Sequence, residues 1–302
     1  MRLNKVPIIV DRDKNLEYEN HHWAVKILRV PLLLILNILP KSLAKIIFLA
    51  GGGLDSDPRT VYRFAASYKA LEVLYTFPDR HIRGKIKASD FFWENFLSNA
   101  RSIRNRLKLV KREVSAAIKE SSQRKETVEI LSLGGGSARA VIEAISMLDH
   151  KLSIRFKLID TDRDALKYSK ELIQRYNLDP KQIEWRRGYA QKLEKHCRDF
   201  HPDIVEMVGL LDYFSHKQAV DLVAKIYRVL APGGWLITCN IRPNFESPFV
   251  TKGINWPMIY RTPQELANII IEGGFPSEGA RIVYEPFKIH GIAIAQKLSN
   301  PR

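Results

Sequence analysis

The chain has 302 residues, 45% of them hydrophobic, and 48 Lys and Arg against 33 Asp and Glu give a formal net charge of +15. That hydrophobic share excludes a disordered chain, and the length suits one large domain or an ordinary domain with a helical extension. Cys197 and Cys239 lie far apart without metal-ligand spacing, which excludes a disulfide framework and fits a reducing compartment.

Residues 1–22 carry a short apolar run, VPIIV, and turn polar and mixed in charge, without the charged-then-apolar-then-small pattern expected of a cleavable secretion signal. From residue 23 to 50 the chain becomes apolar. Its longest uncharged run, 30–40, is bracketed by Pro31 and Pro40 and flanked by Lys26, Arg29, Lys41 and Lys45. That run is too short for a bilayer core that needs about 20 residues. Two readings stay open: a helical pair packed on the rest of the chain or on a second copy, and an interfacial segment with its basic residues at headgroup level. Residues 61–77 carry an apolar stripe at helical spacing that Pro78 ends, and 89–120 carry a longer one, broken at most once. Residues 80–125 concentrate positive charge in Arg80, Arg83, Lys85, Lys87, Arg101, Arg104, Arg106, Lys108, Lys111, Arg112, Lys119, Arg124 and Lys125. Such a stretch could meet nucleic acid, or be a solvated helix face. It holds no RNA-binding motif.

At 128–140, VEILSLGGGSARA, β-prone residues run into Gly134, Gly135 and Gly136 and then into a helical pattern. Strand, glycine turn and helix place free N–H groups and a partial positive charge where a nucleotide-like ligand can approach the main chain. A second strand, 154–159, ends in Asp160, placed for ribose hydroxyls. Further strands are expected at 183–186, 204–208, 235–239, 280–284 and 291–297, the last two antiparallel. Helices are expected at 164–177, 216–230 and 263–272. The expected fold is α/β, a doubly wound, Rossmann-like, mainly parallel seven-stranded sheet with an N-terminal helical extension. The division expected is a basic helical region over 1–125 and the α/β domain over 126–302.

The run from 128 onward resembles a class I S-adenosylmethionine-dependent methyltransferase. The resemblance lies in Leu133-Gly134-Gly135-Gly136, Asp160-Thr161-Asp162, Leu230-Ala231-Pro232-Gly233-Gly234, and Arg261-Thr262-Pro263 with its following Gly273-Gly274-Phe275. The basic leader points in particular to uncharacterised bacterial members. The resemblance implies S-adenosylmethionine as cofactor. Gly134, Gly135 and Gly136 would line its amino-acid end, Asp160 with Thr161 its ribose, and Tyr189 and Ala190 its adenine. Val208, Gly209 and Leu210 would stand where cofactor and acceptor meet. Three positions depart from the family pattern. Ser132 replaces an acid, Ala138 a third glycine, and Tyr189 an aspartate that often meets the adenine amine.

The implied reaction is displacement of a sulfonium methyl by a nucleophile, with a general base needed only if the acceptor keeps its proton. Asp212 and Tyr213, directly after the fourth of these strands, are the expected catalytic residues; His216, Tyr260 and His290 are more remote candidates. No metal ligands are expected. The expected acceptor is small or amphiphilic, met at an anionic membrane surface, with a cytoplasmic chain peripheral on the inner face. A nucleic-acid methyltransferase is the alternative, less favoured because no Asn-Pro-Pro-aromatic sequence follows that strand. A catalytically altered S-adenosylmethionine-binding scaffold is another. Oligomeric state is not legible.

Overall fold

A computed structural model describes residues 5–50, 56–81, 88–148 and 152–298. Eight strands form one sheet in the order β1-β7-β8-β6-β5-β2-β3-β4. They are β1 (Ile8–Val10), β2 (Thr127–Leu133), β3 (Ser153–Asp160), β4 (Ile183–Arg187), β5 (Ile204–Met207), β6 (Trp235–Ile241), β7 (Ala280–Tyr284) and β8 (His290–Gln296). β2 through β6 pair in parallel, while β8 runs antiparallel to both β6 and β7. The sheet is thus mixed, and it has eight strands rather than the seven expected. The extra one is β1, which pairs in parallel with β7 in the register Ile8↔Ile282. Three edge residues are too few to show the alternation by which a strand is recognised.

Alternate residues of the central strands feed two cores. Leu131, Leu133, Val205 and Met207 pack with α11 (His216–Val229) and α13 (Pro263–Glu272) on one face. Val128, Ile130, Ile204 and Ile237 pack with α7 (Ser98–Ser122), α8 (Arg139–Ser146) and α9 (Arg163–Arg175) on the other. These strands are apolar on both faces because helices cover both.

A third core gathers the N-terminal helices: α1 (Trp23–Ile38), α2 (Lys41–Leu49), α3 (Asp57–Arg63), α4 (Tyr68–Tyr75), α5 (Phe77–His81) and α6 (Ala88–Phe96). Leu33, Leu36, Phe48, Leu74 and Trp93 meet Phe249 and Val250 of α12 (Ser247–Lys252) there, with Trp256 beyond it. The stripe expected as one helix over 61–77 is therefore two. The chain turns at 64–67, where Ala66 takes a φ of +63°, and Pro78 opens α5 rather than closing the helix before it. The longer stripe breaks at Leu97. Leu97, at the N-cap, has no side chain that can cap the new helix. The carboxylate of Glu246, distant in the sequence, meets the helix end instead, accepting the N–H groups of Ser98 (2.6 Å) and Asn99 (3.0 Å) and pairing with Arg29. A carboxylate at a helix N-terminus meets both orphan donors and the helix dipole. The break at Leu97 is thus fixed by tertiary structure.

Candidate active site

Between the third core and the carboxyl ends of the strands lies a cavity of about 520 Å³. Its floor begins at the glycine turn. Gly134 donates its N–H to the carbonyl of Ile159 (2.8 Å), which ties the end of β2 to β3. Gly134 and Gly136 both take positive φ, +61° and +62°, which only glycine adopts without strain. Ala138 takes the same left-handed geometry, φ 53° and ψ 28°. The turn keeps its shape where the family often has a third glycine, at a backbone cost of about 1 kcal/mol.

Asp160 stands across from this turn. Its Oδ2 accepts the N–H of Gly136 (2.9 Å) and its Oδ1 that of Asp162 (2.8 Å). Burial pushes its carboxyl upward against these two hydrogen bonds. Each oxygen keeps a second lone pair for a hydroxyl. Tyr189, 62% exposed, stands at the rim and Ala190 is buried beside it. Gly209 has a φ of +90°, and a Cβ there would meet nothing within 4 Å.

The structure brings Gly134, Gly135, Gly136, Asp160, Thr161, Tyr189, Ala190, Val208, Gly209, Leu210, Asp212 and Tyr213 to this one cavity. His290 joins them, whereas His216 and Tyr260 do not line it. His216 is bonded to Glu272 on the exposed side of α11, and the Tyr260 hydroxyl turns toward the carbonyl of Ser247. Asp212 is almost fully buried, and Oδ1 accepts the N–H of Ile241 (2.9 Å). Burial raises its carboxyl from 3.8 to about 6, with Arg106 and Arg261 opposing. The Tyr213 hydroxyl accepts the indole N–H of Trp256 (2.6 Å), and burial pushes its ionisation upward. Both residues are therefore held in place by bonds to neighbouring elements.

Two residues at the site had no visible role in the sequence. Glu206 faces Ser132 in the strand register, and its Oε2 accepts the Ser132 hydroxyl (2.6 Å). The acid missing at Ser132 is thus supplied by the next strand at the same level. A Cβ on Gly135 would lie 2.4 Å from that hydroxyl and 2.9 Å from Glu206 Oε2, so the middle glycine is required by this pair. The signal was a lone carboxylate inside an otherwise apolar strand, IVEM. Arg106, counted above with the basic stretch, is 3% exposed and lines the cavity.

The glycine cradle, the carboxylate opposite it and the open space at Gly209 fit a nucleoside-bearing ligand with a short amino-acid end. Among the described residues no group of His, Cys, Asp or Glu could hold a metal ion.

Residues 67–297 match the model of the family described as "Putative methyltransferase". The chain belongs to that family. The match begins at α4, so it takes in helices ahead of the α/β part. No curated protein matches in sequence. The fold is similar to that of a Bordetella parapertussis protein described as a possible exported protein, at 17% identity and a TM-score of 0.60, over 88% of this chain and 96% of that one. It is also similar to the carbon methyltransferase CurJ (12%, 0.52, over 80% and 67%) and to the S-adenosylmethionine-dependent methyltransferase SibL (15%, 0.50, over 80% and 74%).

The buried Glu206 makes stability depend on pH. Burial raises its carboxyl from 4.5 to about 7, so between those values the folded chain holds a proton that the unfolded chain releases. Stability then falls as pH rises through that window and levels off above it. Glu206→Gln is expected to remove most of this slope, on the order of 3 kcal/mol, leaving a smaller one from Asp212. Urea unfolding at pH 5 and pH 7.5 measures it, and an unchanged slope in the variant would refute the assignment.

Proposed function

We propose that the chain transfers the methyl group of S-adenosylmethionine to a small or amphiphilic acceptor. The observation that carries this reading is the division of the cavity wall. One side is the glycine turn with Asp160 and Tyr189; the other is apolar, built from Phe48, Val61, Leu71, Leu74 and Trp93 of the helical part with Trp256 from beyond α12. Bound there, S-adenosylmethionine would supply an electrophilic methyl group on a sulfonium sulfur. The chain's own work is positioning. The glycine turn takes the amino-acid end against its main chain, Asp160 accepts ribose hydroxyls, and Tyr189 lies against the adenine. Val208 to Leu210 bring the reacting ends together. The apolar wall excludes water and takes the body of the acceptor. Asp212 and Tyr213, at the strand end, are the polar groups nearest the transfer.

The charge pattern supports this acceptor class over nucleic acid. Arg80 pairs with Asp57, Arg101 with Glu94, Arg104 with Glu19 and Glu94, Lys111 with Glu143, and Lys125 with Asp203. Arg112 pairs with Asp11, Asp13 and Glu113. These cations of the basic stretch are met within the chain and are not arrayed for phosphates. Arg83, Lys85 and Lys87 lie outside the described residues.

Calorimetric titration with S-adenosylmethionine tests the reading. Saturable binding with one site is expected, and Asp160→Ala is expected to weaken it at least tenfold. A folded wild-type chain that does not bind would contradict the function.

The membrane surface belongs to the same proposal. No described helix is long and apolar enough to cross a membrane. Yet α1 and α2 expose Trp23, Ile27, Leu28, Leu34, Ile35, Ile38 and Ile46, with Ile38 81% exposed. Lys26, Lys41 and Lys45 are exposed on the same pair of helices. An exposed apolar surface with lysines interspersed suits the boundary of an anionic bilayer. Flotation with phosphatidylglycerol-containing vesicles is expected to carry the wild-type chain. The double variant Ile35→Asp, Ile38→Asp should stay behind, and equal flotation of both would remove the membrane surface from the proposal.

A further inference from the structure

Among the described residues four arginines are buried on or beside the cavity's walls, and one of them stands apart. Arg104, on α7, is buried and paired with both Glu19 and Glu94. Arg139, on α8, is buried and paired with Glu72 and Glu143. Arg106 is as deeply buried as Arg104, at 3% exposure, but among the described residues no carboxylate comes within ion-pair distance of it. Its Nη2 donates to the Tyr75 hydroxyl (2.8 Å), its Nη1 approaches Cys239 Sγ at 3.9 Å, and its Nε has no partner among the described residues. Both contacts are neutral groups, since burial pushes the Cys239 thiol up to about 12 and the Tyr75 hydroxyl upward as well.

The nearest acids are committed elsewhere. Asp212 Oδ1 accepts from Ile241, and Glu206 accepts from Ser132 and Val208. Beside Arg106 sits His290, also 3% exposed and also on the cavity wall. Neither of its ring nitrogens has a partner among the described residues. Burial and the neighbouring guanidinium hold the ring neutral, so it offers one N–H donor and one acceptor. Arg261, the other cation near Asp212, is occupied by the carbonyls of Leu211 and Phe214 and by Asn240.

A buried guanidinium without an anion is costly, and the same cation becomes favourable once a ligand supplies the charge. Its planar donors suit an oxygen anion. Resting on the methyl-transfer reading above, we infer that Arg106 and His290 form an anion-binding floor for the acidic oxygen of the acceptor. The acceptor is then an apolar molecule ending in a phenol, an enol or a carboxylic acid. Its body lies along Leu74, Trp93 and Trp256, and its oxygen reaches Arg106. Its proton is lost to water as it binds, so the oxygen arrives as an anion and Asp212 need not act as a base. In the transfer, an oxygen lone pair forms the new bond to the methyl carbon. The carbon–sulfur bond breaks with its electron pair left on sulfur, which cancels the sulfonium charge.

The test uses 4-nitrophenol as a probe, because its phenolate has its own absorption band. The full-length chain is first saturated with S-adenosylhomocysteine, whose binding is measured separately, and is then titrated with the probe below the probe's own pKa. The expected result is a saturable rise in the phenolate band, with one probe per chain. Arg106→Leu should weaken probe binding at least tenfold and leave S-adenosylhomocysteine binding within about threefold, which also shows that the variant is folded. Arg106→Lys should keep part of the phenolate signal and covers the case in which the leucine variant does not fold. Probe bound only as neutral phenol, or no probe binding by a chain that binds S-adenosylhomocysteine, overturns the inference and leaves the methyltransferase reading intact. If Arg106→Leu instead loses S-adenosylhomocysteine and keeps the phenolate, the guanidinium serves the cofactor's carboxylate, and the inference is overturned. A wild-type chain that does not bind S-adenosylhomocysteine is a failure of the function, not of this floor.

Discussion

The arrangement of the cavity depends on one buried carboxylate. Glu72, on α4, accepts the Ser137 hydroxyl (2.6 Å) and the Nε of Arg139 (3.1 and 3.0 Å), all three residues being buried. Ser137 and Arg139 follow the glycine turn at the start of α8, so this contact fastens a helix of the N-terminal part onto that turn. The approach is close: a Cβ on Gly136 would lie 2.9 Å from that of Tyr68. Removing one partner of such a pair leaves the other charge buried and alone, which costs several kcal/mol. The helices of the third core are held against the sheet here and at Glu246. The cavity exists because both contacts hold.

Charge in this chain is mostly an internal matter. A net +15 invites an electrostatic account of partners. Yet many of the cations on α7 fasten the N-terminal segment, the sheet and α8 to one another, as Arg112 does with Asp11 and Asp13. What remains for ligands is more specific: the open main chain of a glycine turn, the half-buried carboxylate of Asp160, and the Arg106 guanidinium, whose contacts among the described residues are neutral. The exposed apolar surface of α1 and α2 lies outside this network and is covered by nothing among the described residues.

Seven strands and the helices of the α/β part were legible because each buries an apolar face and shows the period of its geometry. The glycine turn and Asp160 were legible because backbone geometry and ribose chemistry restrict the residue type at those places. β1 was not, since an edge strand of three residues takes its order from pairing with β7. The turn at 64–67 was not, because the apolar stripe continues through it and only the packing of α3 against α4 fixes the corner. Glu206 and Arg106 have meaning only through residues distant in sequence. Glu206 matters for its level in the sheet against Ser132, and Arg106 because no carboxylate among the described residues comes within ion-pair distance of it. A composition count places Arg106 among solvated cations; the fold places it in the interior.

The central claim is that the glycine turn and the helical part form the two walls of one binding site. Hydrogen exchange with and without S-adenosylmethionine tests it most directly, because exchange reports local opening segment by segment. S-adenosylmethionine is expected to slow exchange at 134–139, 160–162 and 188–191, and also in α4, through the Glu72 contact. Protection confined to the sheet side, with α4 unchanged, would contradict a shared site. No protection anywhere would contradict cofactor binding itself.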